Sequence, residues 1–288
     1  MKILSLLISV FFISFGHAQI DTTVYKVDIT WESSQSVKGN IRTIQWNSKT
    51  LNEQRKISMY EPVNFHKDSL YDVVITTDNQ CASLANLLED EMILNRIKPL
   101  IIVGVHNRES QPIDTIFHKY EIDFRMKEML GDIWLSKNSE LKNDSTILSL
   151  TNNRHENFKK WISIEIVNFL ESHYSLNTKE NWTIGGFSNG GSFVTSLIES
   201  YPNSFRNVIC MSPGEVSTSL SSDKNTFFIC AGNEELSFHS TSLHLAKTLE
   251  KKGVQFEHRT YSCGHSYNMW LSYYLYCLRK IYKVTYKT

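Results

Sequence analysis

The sequence predicts an α/β fold, with a mainly parallel central sheet and helices on both faces. Short apolar, β-branched runs alternate along the chain with longer stretches whose apolar residues recur at helical spacing. The apolar runs are continuous, as expected of strands that helices cover on both faces. The chain has 288 residues and no internal repeat or Pro/Gly/Ser-rich linker, so we expect one domain. In such a sheet the site lies beyond the carboxyl ends of the strands.

Residues 1–18 have the layout of a secretory signal peptide. A lysine at the second position precedes the uncharged apolar run 3–15, and Gly16 and Ala18 are small residues at the −3 and −1 positions of a cleavage site. The run is shorter than the roughly 20 apolar residues that span a membrane. We therefore expect a periplasmic or secreted protein, with one mature domain over residues 19–288 and no stable membrane association after cleavage. An uncleaved N-terminal anchor is the alternative.

The individual elements follow from local patterns. Three strands with alternating polar and apolar residues come first, and we expect them to form an antiparallel lead-in. They are predicted at 23–30, 41–46 and 55–60. Buried strands are predicted at 71–76, 100–105, 182–184, 208–211, 227–230 and 254–261. Helices are predicted at 83–97, across 158–170, and at 192–201, 240–252 and 267–282.

Composition excludes several functional classes. Basic and acidic residues number 30 each, so the formal net charge is zero, and no basic stripe suggests a nucleic-acid partner. The five cysteines are an odd, widely spaced set, which argues against a disulfide framework, and no C-x-x-C pair suggests a zinc site. A single disulfide in an oxidising compartment is the alternative. Cys210 and Cys230 lie inside apolar runs and are expected to be buried thiols. Neither a phosphate loop nor a dinucleotide fingerprint occurs, so we expect no cofactor and no metal.

The sharpest chemical signal is the G-x-S-x-G motif at residues 186–190, which reads Gly-Phe-Ser-Asn-Gly. The run 182–184 predicts a strand before it and the residues from Ser192 a helix after it, the setting of a nucleophile elbow. An elbow strains the backbone of the nucleophile, so its neighbours must be small. The helix start also directs N–H groups toward a developing oxyanion. We therefore predict Ser188 as a nucleophile; a Gly-rich turn without catalytic purpose is the alternative.

A catalytic serine needs a base and a carboxylate that orients it. In α/β enzymes with such an elbow, the acid and then the histidine follow the serine along the chain. His265 follows the predicted last strand and lies in a loop ahead of the final helix, whereas the other histidines downstream of Ser188 border or occupy helices or strands. His265 is therefore the candidate base. The loop after strand 227–230 offers Glu234 and Glu235, of which the orienting role needs only one.

On these residues the chain resembles the putative-esterase family of α/β-hydrolases. That family holds enterochelin (siderophore) esterases, esterase D-type enzymes, and acetyl-xylan and feruloyl esterases. Beyond the elbow, the resemblance lies in segments 48–62, 78–80, 102–107, 212–213 and 264–270, which span nearly the whole mature chain. It implies an α/β-hydrolase fold and a serine esterase, a carboxylic ester hydrolase that acts through an acyl-enzyme. A siderophore or carbohydrate ester is the implied substrate.

The resemblance also implies roles for individual residues. The family's carboxylate usually stands three residues after the Gly that ends its strand, which selects Glu235, with Glu234 as the alternative. The oxyanion hole would be formed by the backbone N–H of Asn189 and that of Asn79 or Gln80.

Residues 106–157 form a longer connection than the family usually has. They leave a strand at its carboxyl end, where this architecture builds its binding surface. We expect an insertion that acts as a lid over an apolar or aromatic acyl group, and an excursion that merely packs on the surface is the alternative. The predicted substrate-binding residues are His106, Arg108 and Trp134. The apolar side chains expected in the lid are Phe117, Tyr120, Phe124, Met126, Met129, Leu130, Ile133 and Trp134.

Two other functions stay open at this stage. An acyltransferase would use the same triad and differ only in passing the acyl group to a sugar or alcohol instead of water. A binding protein would keep the fold without catalysis, since a fold alone does not determine function. In each case the expected partner is a small-molecule or carbohydrate ester, and no nucleic acid.

Overall fold

The computed structural model describes residues 20–27, 37–108, 111–114, 119–131, 153–220 and 224–285. The predicted signal peptide, residues 1–18, and the predicted substrate-binding residue Trp134 lie outside the described residues.

The described chain alternates strands and helices, as the sequence predicts. The strands are β1 Ile20–Tyr25, β2 Asn40–Ser48, β3 Glu53–Glu61, β4 Asp72–Thr76, β5 Leu100–Val105, β6 Gln111–Asp114, β7 Lys119–Ile122, β8 Thr183–Phe187, β9 Asn207–Met211, β10 Thr226–Gly232 and β11 Gln255–Tyr261. The helices are α1 Cys81–Ile93, α2 Phe124–Leu130, α3 Arg154–Lys160, α4 Val167–His173, α5 Asn189–Ser200, α6 Leu236–Lys251 and α7 Tyr267–Ile281. A π-helical turn, Trp161–Ile166, joins α3 to α4, and a 3₁₀ turn, Lys179–Asn181, precedes β8.

Nine strands form one sheet in the order β1-β11-β10-β9-β8-β4-β5-β3-β2. The pairs β2–β3 and β3–β5 are antiparallel, and the other six pairs are parallel. The mainly parallel sheet predicted from the continuous apolar runs is therefore confirmed. Strands β6 and β7 form a separate antiparallel hairpin.

Helices bury both faces of the sheet. Alternate residues of a strand point to opposite faces, and in β4 Val73 and Ile75 belong to one core cluster while Val74 belongs to the other. The first cluster packs under α3 to α6, with fully buried Phe158 and Phe193. The second packs under α1 and α7. This two-sided burial explains why the strands are continuously apolar.

The N-terminal strand differs from the prediction in both its bounds and its partner. The alternating pattern predicts a strand at 23–30 in the antiparallel lead-in, and β2 with β3 does form that lead-in. Strand β1 instead spans Ile20–Tyr25 and pairs in parallel with β11 at the opposite edge of the sheet. The alternation of polar and apolar residues indicates a half-buried strand but carries no information on which edge it joins.

Helix α2, inside the predicted lid, is part of the core. Phe124 is fully buried, and Met129 and Leu130 are 1% and 7% exposed, so these side chains are not free to cover an acyl group as predicted. The buried Glu128 carboxylate accepts hydrogen bonds from Arg55 of β3 (2.7 Å) and Arg154 of α3 (3.0 Å). Apolar burial and this ion cluster dock the helix onto the sheet.

Two further expectations concern cysteines and membranes. All five cysteines are free thiols, and the predicted burial of Cys210 and Cys230 is confirmed because both are fully buried. Among the described helices, none has the length and apolar character that a membrane span requires.

Candidate active site

Ser188 occupies a strained turn between β8 and α5. Its backbone has φ 56° and ψ −125°, a region that non-glycine residues adopt rarely and at a cost. A Cβ at Gly186 would lie 2.5 Å from the carbonyl oxygen of Gly190, and one at Gly190 would lie 2.2 Å from Thr77 Oγ1. Neither clash can be relieved without moving backbone or the neighbouring loop. The turn therefore has the geometry of an elbow, and its glycines are there for steric reasons.

The backbone amides at the elbow differ in whether they already have a hydrogen-bond acceptor within the protein. Ser188 N–H donates to Met211 O of the neighbouring strand at 2.9 Å. Asn189 is the first residue of α5, and the first amides of a helix have no acceptor within it. Among the described residues, no hydrogen bond is formed by the Ser188 hydroxyl, so the role of His265 as the base for Ser188 stays a prediction. Contacts between a nucleophile and its base are often long before substrate binds.

Glu235, and not Glu234, contacts His265. One oxygen of Glu235, Oε2, is hydrogen bonded to His265 Nδ1. The other, Oε1, accepts from Ser212 Oγ at 2.5 Å and from Gly232 N–H at 2.6 Å. Glu235 is 7% exposed, whereas Glu234 is exposed to solvent. The adjacent carboxylates thus have opposite environments.

Three hydrogen bonds favour the ionised form of Glu235. Burial alone would raise the pKa of this carboxyl, but the hydrogen bonds from His265, Ser212 and Gly232 outweigh burial and hold the pKa of Glu235 below its usual value. A buried carboxylate that stays ionised can fix the imidazole tautomer, with the proton on Nδ1 and Nε2 left as the acceptor.

Trp270 connects the elbow to the histidine. Its indole stacks on Phe187, the residue before the nucleophile, with ring centroids 4.0 Å apart and 15° between the planes. The same indole meets the His265 ring edge to face at 4.6 Å, and its N–H donates to Ser212 Oγ at 2.9 Å. Ser212 and Trp270 lie in segments that resemble the family, but their sequence positions indicate no role. Only the packing identifies them as supports of the Glu235–His265 pair.

The predicted oxyanion loop lies between β4 and α1. Asn79 N–H already donates to Val105 O at 2.9 Å. Gln80 caps the start of α1, and its amide N–H has no acceptor among the described residues. The Gln80 side chain is held by its own bond to Asp78 O (2.8 Å) and by the Tyr267 hydroxyl, which donates to its oxygen at 2.5 Å. Tyr267 follows His265 by two residues, so the loops of the base and of Gln80 are tied together.

The predicted substrate-binding residues have protein partners. His106 Nε2 lies 2.8 Å from Ser58 Oγ, and burial, with the charges of Lys56 and Arg55, lowers the pKa of His106. Arg108 pairs with Glu53 and lies over the Phe124 ring, 4.1 Å from its centroid. Among the described contacts, neither residue reaches Ser188 or His265. Their role toward a substrate stays a prediction.

Solved structures with the same fold include known esterases. A ferulic acid esterase from Anaeromyces mucronatus, in complex with ferulic acid, matches with TM-score 0.65 and 15% identity over 91% of this chain and 97% of that chain. The BES protein from Bacillus cereus matches with TM-score 0.66 and 20% identity over 88% and 100%. The enterobactin esterase from Shigella flexneri, in the presence of 2,3-di-hydroxy-N-benzoyl-glycine, matches with TM-score 0.64 and 14% identity over 87% and 61%. At these identities the likeness is one of fold, and the predicted α/β-hydrolase fold is confirmed.

The family model described as "Putative esterase" matches residues 149–229. That segment holds the elbow, β8, α5 and β9. Over that segment the chain resembles the putative-esterase family, and the protein is an esterase. The predicted resemblance is thereby confirmed, and the esterase is a carboxylic ester hydrolase. No curated protein matches its sequence.

Within the part of the chain that the structure describes, no group of three or more His, Cys, Asp or Glu residues is arranged to hold a metal ion.

Proposed function

We propose that the esterase works through an acyl-enzyme on Ser188, with His265 as general base and Glu235 as the orienting acid. The observation that carries this proposal is the Glu235–His265 pair joined through Trp270 to a serine at φ 56°. His265 Nε2 takes the proton of the Ser188 hydroxyl as its oxygen attacks the ester carbonyl. The protonated imidazole then returns that proton to the departing alcohol. Water, deprotonated by the same nitrogen, releases the acid.

Two backbone amides are proposed to hold the oxyanion. One is Asn189 N–H at the start of α5, where the helix dipole also favours negative charge. For the second, Gln80 is the better choice, because Asn79 N–H is already bonded to Val105 O. The side chain of Gln80, bound by Tyr267, keeps this amide near the base.

We further propose an ester of an aromatic acid, carried by a carbohydrate or a siderophore, as the substrate class. Apolar side chains in this region support this choice: the ring centroids of Phe238 and His265 are 4.4 Å apart, and Leu236, which follows Glu235 in the sequence, is 81% exposed. An exposed large apolar side chain beside a catalytic group is suited to an aromatic ligand. The ligands of the two structural neighbours, ferulic acid and 2,3-di-hydroxy-N-benzoyl-glycine, each contain an aromatic ring.

Labelling and a substrate screen test the proposal. A fluorophosphonate probe should label the wild-type chain at Ser188 and leave Ser188→Ala unlabelled; labelling at another residue contradicts the assignment. In a screen of methyl ferulate, acetylated sugars and a catecholate trilactone, with 4-nitrophenyl acetate as the activated reference, methyl ferulate and the trilactone, whose acyl groups carry an aromatic ring, should have a higher kcat/KM than the acetylated sugars. Transfer to an added sugar in preference to water would instead indicate an acyltransferase.

A matched pair of variants tests the apolar surface. Leu236→Ala should lower kcat/KM for methyl ferulate by about 3- to 10-fold, the effect of losing roughly one to two buried methylene groups, and leave 4-nitrophenyl acetate within about twofold. Leu70→Ala is the control. Leu70 is also exposed, at 65%, but it precedes β4 and so lies at the amino ends of the parallel strands, opposite the candidate site. Equal losses on both substrates would refute a role in recognising the aromatic group.

Export is proposed together with this function. Strand β1 begins at Ile20, one residue after the proposed mature start at Gln19, so cleavage there leaves every sheet residue in place. A periplasmic or secreted enzyme would meet carbohydrate and siderophore esters directly.

A further inference from the structure

A buried ion pair joins the predicted lid to the oxyanion loop. Asp78 immediately precedes Asn79 and Gln80, and Asp78 and Asn79 both have left-handed backbones, with φ 57° and 50°. Asp78 Oδ2 lies 3.0 Å from the position that a Cβ on Gly190 would occupy. The carboxylate therefore contacts the first turn of α5, directly behind the nucleophile, as well as the loop that carries the second oxyanion donor.

Helix α2 supplies the counter-charge. Arg125 binds both oxygens of Asp78, through Nη2 to Oδ2 at 2.9 Å and through Nε to Oδ1. Asn107 Nδ2 adds a third hydrogen bond at 2.5 Å. The Asp78 and Arg125 side chains are 9% and 29% exposed. Burial opposes the charged form of Arg125, but the hydrogen bond and charge of Asp78 outweigh it and raise the pKa of Arg125.

The Asp78 carboxylate would slow catalysis if no positively charged side chain neutralised it. An oxyanion that forms on the adjacent amides is a second negative charge in the same partly buried region, and at an effective dielectric constant of about 20 the repulsion would slow acylation by about 10- to 100-fold. Two consecutive left-handed residues also need an external contact to stay in place. Arg125 meets both requirements, because a bidentate guanidinium neutralises the charge and fixes the carboxylate in one orientation.

We propose that Arg125 is a positioning residue for ester hydrolysis: it neutralises Asp78 and holds the Asp78–Gln80 turn in the shape that presents the oxyanion donor. This proposal rests on the proposed acyl-enzyme function. It assigns the insertion a part in the turnover of every ester, large or small, since the contact is to the oxyanion loop and does not depend on the acyl group.

The test compares single and double variants in the hydrolysis of 4-nitrophenyl acetate. Arg125→Gln should lower kcat by about 10- to 100-fold and leave KM within about twofold, because the loss arises in the transition state. Asp78→Asn combined with Arg125→Gln should recover the part of the lost kcat that comes from the unpaired charge beside the oxyanion. Arg125→Lys, which keeps the charge without the bidentate geometry, should lie between Arg125→Gln and wild type and is the variant to measure if Arg125→Gln does not fold.

Controls separate this proposal from the proposed function and from simple destabilisation. Arg42→Gln removes an arginine of the edge strand β2 that is 48% exposed and pairs with Glu61 of β3, and this variant should keep wild-type kcat. Thermal unfolding shows whether each variant is folded at the assay temperature. Wild-type kcat in Arg125→Gln, or an equal loss in the single and double variants, overturns the proposal. Failure of fluorophosphonate to label Ser188 in the wild-type chain would instead overturn the proposed function itself.

Discussion

Replacing Glu235 with Gln is a sharp test of the triad, because the surrounding donors determine which way the new amide must face. Ser212 Oγ accepts the indole N–H of Trp270 at 2.9 Å, so its single proton is directed to Glu235 Oε1 at 2.5 Å. Gly232 N–H donates to the same oxygen at 2.6 Å. With two donors on that side, Glu235→Gln has to place its amide oxygen there and its NH₂ group against His265 Nδ1.

The consequence is the wrong imidazole tautomer. An amide NH₂ only donates, so Nδ1 has to accept and the proton moves to Nε2, the nitrogen that is proposed to deprotonate Ser188. Loss of the orienting carboxylate in this way costs on the order of 10⁴-fold in kcat, which is about 5 kcal/mol of transition-state stabilisation. KM should change little, because ground-state binding does not involve this hydrogen bond.

The assay is steady-state hydrolysis of 4-nitrophenyl acetate, with Glu234→Gln as the matched control. Glu234 is exposed, so its substitution should leave kcat within about twofold. Near-wild-type kcat in Glu235→Gln would refute the tautomer argument. An inactive Glu234→Gln beside an active Glu235→Gln would mean that the acid is the neighbouring residue.

Two further predictions concern stability and processing. Burial, reinforced by nearby His239, lowers the pKa of His258 from 6.5 to about 4. As the pH falls, this imidazole is therefore protonated in the unfolded chain before it is protonated in the folded one. The free energy of unfolding should consequently fall by about 3 kcal/mol between pH 6.5 and 4. His258→Gln should lose most of that pH dependence in urea denaturation, and an unchanged slope would contradict it. Cleavage after Ala18 should yield a mature chain that begins at Gln19, which intact-mass spectrometry of the exported protein would detect, and a mature mass that includes Met1 would refute cleavage.

Features that depend on local sterics and hydrophobic periodicity could be predicted from the sequence. Strands buried on both faces leave continuous apolar runs, so the parallel sheet could be predicted. The elbow could be predicted because a strand pattern precedes the motif, a helix pattern follows it, and a strained turn between them needs small residues such as Gly186 and Gly190 beside the serine. His265 could be placed after the last strand because the order of elements follows the chain.

Only the tertiary structure decided the features that depend on which distant segments meet. Glu234 and Glu235 are adjacent in sequence, and the direction in which each side chain points follows from the docking of α6 and of the His265 loop. The parallel pairing of β1 with β11 and the binding of Asp78 by Arg125 join residues 47 or more positions apart. Periodicity describes one element at a time, whereas these contacts form only when separate elements pack. For the same reason the sequence predicted α2 as part of a lid, although Phe124 and Glu128 dock this helix into the core.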